Sequence, residues 1–252
     1  MTIVQGEVGR IRMFEDFLGA EVPIALTTDA ENVGQFVIGG EGIEQGTTYG
    51  GAPLLTSAGN NGVVALSTDD ENLDTIAIKS GIVFDVGLMG PLVLETRVNF
   101  DDLTAKAAFI GFSDTCADDV DLASDIIDYS AVTTVSYVVS NLCGFYLSSE
   151  FTDHEDWHAV YKGGTATAVT ATGSIDLDSD AVAGDFQILR LEVDSDGTAR
   201  WYIDGVLLKT LEGAMSTTAD MCAVVAVTCN DADPAVMNVD YVLVTANRDW
   251  TV

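Results

Sequence analysis

The chain has 252 residues, 48% of them hydrophobic, and a formal net charge of −30 from 40 acids against 10 bases. That hydrophobic share excludes a disordered chain, and no apolar run approaches the roughly 20 residues of a membrane span. So acidic a field repels phosphate backbones, which excludes a nucleic-acid binder.

The N-terminus carries Glu7 and Glu15 without an apolar block of signal-peptide length, so export by a cleaved signal is not expected. Residues 1–19 are expected to form an N-terminal arm and docking segment. Met1 to Arg12 shows no clear period, and MFEDFLG reads as an edge strand or short turn lying on the core. Short strands are predicted at Gln35–Ile38, Val63–Ser67 and Thr75–Lys79. Pro91 opens the strongest strand of the first half: Leu92, Leu94, Thr96, Val98 and Phe100 face one side, and Val93, Glu95, Arg97 and Asn99 the other. The run AAFIGF from Ala107 to Phe112 suits a strand covered on both faces.

Thr115 to Ser130 is an acidic interruption in which Ala123 to Ile127 makes a helical turn or two. Val132–Val139 and Leu142–Leu147 resume β character, Ser149–Trp157 reads as a loop, and a strand at Val160–Lys162 ends at Gly163-Gly164, with a Thr/Ala/Val strand after it. From Phe186 to Leu211 the period is two residues, broken by Asp194-Ser195-Asp196-Gly197 and Asp204-Gly205, which predicts three strands joined by two tight turns. Met221–Thr228 and Met237–Val244 complete a count of roughly twelve to fourteen strands with no amphipathic helix of three turns. The expectation is one all-β domain over residues 20–252, a two-sheet antiparallel sandwich of jelly-roll type. The cysteines Cys116, Cys143, Cys222 and Cys229 form no C-x-x-C pair and are read as reduced.

The succession GPLVLETRVNF, AAFIGFSD, FQILRLEVDSDGTARWYIDGVLL and MNVDYVLV resembles the concanavalin-like lectin/glucanase and laminin-G-like sandwiches over about Pro91 to Ala246. With the arm, FEDFLG and the acidity, it resembles the laminin-G-like virion proteins of tailed phages. That resemblance implies a head decoration (cement) protein on the virion surface, made in the host cytoplasm, without enzymatic activity. Its partners would be the major capsid protein and further copies of itself. The alternative it implies is a carbohydrate-binding, lectin-like module of a receptor-binding appendage, with a glycan as partner.

The arm supplies the expected capsid contacts Arg10, Ile11, Arg12, Met13 and Phe14. The carboxylate pattern E-x-D-x-x-E or E-x-D-x-E of glucanases with this fold is missing, and Glu95 stands beside Arg97 as a surface pair. DHEDWH matches H-E-x-x-H by letter, but zinc proteolysis needs that motif on a helix, and its surroundings here are β and Gly-rich. No cofactor is expected, with calcium as the candidate ion: Asp118, Asp119 and Asp121 form one acidic cluster, and Asp176, Asp178 and Asp180 a second. Trp157, Tyr161 and Tyr202 are candidates for stacking on sugars or for a protein interface, whereas the alternation places Trp201 in the core.

Overall fold

The computed structural model describes residues 9–18, 31–40, 62–81, 83–231 and 233–249. In chain order the strands are β1 (Arg10–Glu15), β2 (Glu31–Val33), β3 (Phe36–Gly39), β4 (Val64–Ser67), β5 (Thr75–Lys79), β6 (Phe84–Asp85), β7 (Leu92–Asn99), β8 (Lys106–Ser113) and β9 (Ile127–Ala131). They continue as β10 (Thr134–Tyr137), β11 (Leu142–Ser148), β12 (Asp156–Lys162), β13 (Asp176–Asp180), β14 (Gln187–Val193), β15 (Ala199–Ile203), β16 (Val206–Leu211), β17 (Asp220–Cys229) and β18 (Val236–Asn247). Among the described residues, helix is confined to the single turns α1 (Val86–Met89) and α2 (Thr172–Ile175) and a π-helical turn, Leu122–Ile126.

Two antiparallel sheets form the expected sandwich. One has seven strands in the order β1-β18-β7-β14-β15-β16, with β4 also paired to β18; the other has nine, in the order β13-β12-β11-β8-β17-β5-β3-β2, with β6 on β17. The β14–β15–β16 meander forms as its alternation dictates: Leu189, Leu191, Val193, Ala199, Trp201 and Ile203 are buried, and Asp204 and Gly205 take the positive φ the tight turn requires. Two tryptophans cross the interior and join the layers. The Trp201 indole N–H donates to the Gly144 carbonyl at 2.8 Å, and that of Trp157 to the Gln187 amide oxygen at 3.0 Å.

The nine-stranded sheet is buried on its outer face as well, and every residue of β8, β11 and β5 is buried. This accounts for the continuous apolar run of β8. The outer cover is the chain between β8 and β11, with Leu122, Ile126, Ile127, Val135 and Val139 buried against the sheet. Polar side chains on the outer face grip this cover. Thr75 Oγ1 accepts the Leu122 N–H at 2.9 Å, and Cys222 Sγ lies 2.7 Å from the Thr115 carbonyl. The Lys79 amine donates to the carbonyls of Ala117 and Asp118, and that of Lys162 to Val139 at 2.6 Å. Lys79 is only 1% exposed, and burial lowers its pKa.

Three expectations are corrected. Residues 10–12, expected in the arm, are strand, and they continue into the edge strand expected from Met13: β1 pairs along its length with β18, from Arg10 opposite Asn247 to Glu15 opposite Val242. No strand follows Gly164; an irregular stretch leads to α2, and Asp176–Asp180 is itself the edge strand β13. The loop expected to reach Trp157 ends earlier, because β12 starts at Asp156.

Replacing Lys79 by Met keeps the bulk but removes the charged donor to the Ala117 carbonyl and one of the two donors to the Asp118 carbonyl. The expected loss of stability is about 1–3 kcal/mol, read as a lowered urea midpoint with an unchanged slope, while Arg12→Met at the exposed edge stays within about 0.5 kcal/mol of the parent.

Candidate functional site at the acidic rim

Asp156 and His158 stand two residues apart on β12, so both side chains leave the sheet on the same, outer face. The antiparallel partner β13 sets Asp180 opposite Asp156 and Asp176 opposite His158. The turn after β11 adds Asp153, and carboxylate oxygens of Asp153, Asp156 and Asp176 all lie within 4.8 Å of one another. Among the described residues this is the one group of three acids, histidines or cysteines so close.

Crowding of like charge shapes the chemistry. The Asp156 carboxyl is pushed up to about 7, first by burial, then by its hydrogen bond with Asp180 and the charges of Asp176, Asp180 and Asp153. Burial lowers the His158 pKa against the opposing pull of Asp176. Next to this group is a depression of about 310 Å³ whose polar lining comes from three segments: Asp102 and Thr104, His154 and Glu155, and Asp180. Asp102 is held below the ordinary carboxylate range: desolvation opposes the shift, and hydrogen bonds from Thr104 and Lys106 outweigh it.

The calcium candidates Asp118, Asp119 and Asp121 do not form such a group. The Asp121 carboxylate is engaged in capping the π-helical turn, accepting from the Ala123 N–H at 2.9 Å and the Ser124 hydroxyl at 2.7 Å, and the Asp118 carbonyl accepts from Gly40 and Lys79. Of the second acidic cluster, Asp176 reaches the rim group and Asp180 the depression beside it. Trp157 and Tyr161 are corrected as sugar platforms: they are 0% and 5% exposed and lie in the core between the sheets. Tyr202 is half-buried on the outer face of the seven-stranded sheet, its hydroxyl 3.3 Å from Glu192. Trp201 is core, as its alternation requires.

Of the capsid-contact candidates, Arg10, Arg12 and Phe14 point outward from β1, while Ile11 and Met13 pack against the core. The two histidines of DHEDWH part company: His154 is exposed, 3.8 Å from Glu155, and His158 is buried in a strand, so the helical geometry of a zinc protease is not formed. Asp153 and Asp156 lie in a stretch whose polarity reads as loop, which hides them as a site. The signal that could have found Asp156 is its two-residue step to His158 in a segment that also alternates Trp157, Ala159 and Tyr161 inward.

No protein-family model and no curated protein matches the chain. Solved structures do. The Emp47p carbohydrate recognition domain aligns with a TM-score of 0.55 at 8% identity over 93% of this chain and 94% of that one. The Bacillus licheniformis β-glucanase aligns at 0.51 and 12% over 92% and 97%. The κ-carrageenase of Pseudoalteromonas carrageenovora aligns at 0.50 and 13% over 98% and 99%. The chain has the concanavalin-like jelly-roll fold. The expectation of a protein without enzymatic activity is overturned by this set, because the same architecture carries a glucanase and a carrageenase.

The pH dependence of stability follows from Asp156. Its folded pKa of about 7 lies above the ordinary 3.8, so the folded state holds its proton more tightly than the unfolded chain does. Its contribution is fully present below pH 3.8 and lost as the pH rises through about 7. In chelator, the stability of the parent relative to Asp156→Asn is expected to fall across that window and level off above it, as read from urea midpoints at each pH.

Proposed function

We propose that the chain is a carbohydrate-recognising jelly-roll domain that takes its glycan in the depression beside the acidic rim. The observation that carries this is convergence: Asp102, Thr104, His154, Glu155 and Asp180 line one depression from three separate segments. Such a set accepts hydrogen bonds from sugar hydroxyls, and a concave site with a few convergent polar groups is the usual form of a small-ligand site. The likeness to a carbohydrate recognition domain, a β-glucanase and a κ-carrageenase supports the reading. The net charge of −30 favours neutral or amino sugars, since an anionic polysaccharide would be repelled.

A second reading, as a virion decoration protein docking on a major capsid protein, is favoured by one specific observation. Arg10, Arg12, Arg97, Arg190 and Arg200 all point from the outer face of the seven-stranded sheet, and Arg248 is the one arginine elsewhere. Aromatic and ionic contacts order them: Arg97 lies 4.1 Å from the Phe186 ring centroid and 2.8 Å from Asp240, and Arg190 lies 2.9 Å from Glu95. Five of the chain's ten basic residues thus stand on this one face, which suits it to an acidic or mixed protein surface.

A glycan array followed by titration calorimetry separates the readings. Binding of a neutral or amino-sugar glycan, weakened roughly tenfold or more by Asp180→Ala and by Glu155→Ala, is expected from the loss of a charged hydrogen-bond partner. Undiminished binding by both variants would remove the depression as the site. The bound glycans are also followed for release of reducing ends, given the enzymes that share the fold. Mass spectrometry of phage particles showing the chain at roughly hundreds of copies would favour the capsid reading.

A further inference from the structure

We propose that Cys116 and Cys222 are a thiol pair that closes to a disulfide when the protein meets a small-molecule disulfide, fastening the outer cover of the nine-stranded sheet to β17.

Three observations carry it. The first is reach. The Cys222 sulfur stands 2.7 Å from the Thr115 carbonyl oxygen, and the planar peptide that follows sets the Cys116 Cα within about 5.5 Å of that sulfur. A disulfide spans roughly 4.4–6.8 Å between its two Cα atoms, so the pair is within bonding range after a small adjustment. Cys116 is free to make one, since it lies outside any strand or helix. The second is contact. The side chains of Cys116 and Cys222 share a hydrogen bond, so sulfur faces sulfur. The third is unequal access. Cys116 is half-buried where the cover begins, and Cys222 is fully buried on β17. A reagent from solvent meets Cys116 first and Cys222 only through it.

The charge beside the pair assigns the roles. The Lys79 amine donates to the carbonyls of Ala117 and Asp118, the two residues after Cys116, and it interacts electrostatically with both thiols. A cation beside a thiol favours the thiolate, which is the nucleophile of exchange. Cys222 is held protonated, first by its hydrogen bond with Cys116 and then by burial. Cys116 is therefore the attacking sulfur and Cys222 the resolving one. The Cys116 thiolate attacks one sulfur of the small disulfide, breaks its S–S bond and expels one small thiolate. Cys222 then gives up its proton through solvent and attacks the Cys116 sulfur, expelling the second small thiolate. The protein loses two electrons and two protons, and the small disulfide becomes two thiols. Cys143 and Cys229 take no part: both are buried, and the Cys229 thiol is engaged with the Glu71 carbonyl. In the thiol form this end of the cover is held by hydrogen bonds alone. A covalent tie between residues so far apart in sequence restricts the unfolded chain strongly.

The inference does not depend on the glycan reading, and its test contains no sugar. The native full chain is equilibrated with a buffer of oxidised and reduced glutathione, quenched, unfolded, alkylated and mapped by mass spectrometry. Two of the four cysteines are expected to escape alkylation, with Cys116 and Cys222 recovered as one linked peptide pair. The linked form should outnumber the glutathione adduct by roughly tenfold or more, because the second thiol is already in place. Its melting temperature should rise by about 5 °C or more over the reduced chain, and a reducing agent should reverse the rise. Cys222→Ser is expected to stop at the glutathione adduct on Cys116, and Cys116→Ser to remain unmodified. The peptide map of the parent decides the assignment whether or not these variants fold. Glutathione left on Cys116 with Cys222 still alkylated, a disulfide between any other pair, or a linked chain that melts no higher than the reduced one would overturn it.

Discussion

A strand buried on both faces can carry a polar side chain only where something answers it, and β8, β11 and β5 impose that condition across the middle of the nine-stranded sheet. Most of the architecture follows. The inner face is met by the seven-stranded sheet through Trp201 and Trp157, each with its indole N–H on an acceptor. The outer face is met by the chain between β8 and β11, and Thr75, Lys79, Lys162 and Cys222 reach from the sheet to backbone groups of that cover. Close backbone approach helps: at Gly144 an added Cβ would come within 2.9 Å of both the Phe109 ring and the Gly111 Cα, so the glycine pair makes room for an aromatic ring on the covered side.

The exception to that satisfaction is informative. Among the described residues, the buried side-chain atoms with no partner are the two nitrogens of His158. They sit where the cover ends and the acidic rim begins. Asp156, with its carboxyl pushed up to about 7, marks the same place by a different property.

The parts of the fold legible in the sequence were those whose period depends on neighbours close along the chain. Leu189 to Leu211 alternates because each strand of the meander pairs with the next, and AAFIGF announces a doubly covered strand by having no polar side. The edge strand is legible only from Met13; Arg10 to Arg12 escape because their partner lies more than two hundred residues away, although Ile11 and Met13 inward with Arg10, Arg12 and Phe14 outward is itself an alternating strand. Charged DHED before Trp157 makes the segment look like surface, but the inward alternation of Trp157, Ala159 and Tyr161 outweighs that local polarity. The rim was the least legible part. Asp153, Asp156 and Asp176 meet through the register of β12 on β13, and register is set by pairing geometry rather than composition.

The pairing of β1 with β18 has a topological corollary. The Arg248 N–H donates to the Gly9 carbonyl at 2.9 Å, so the first and last described strands finish side by side. The molecule is in effect a closed circuit with its seam at one corner. A cargo or a neighbouring module spliced at either side of that seam would hang from a single point. The chain could equally be joined there and reopened at a surface turn such as Asp204-Gly205 without severing a strand.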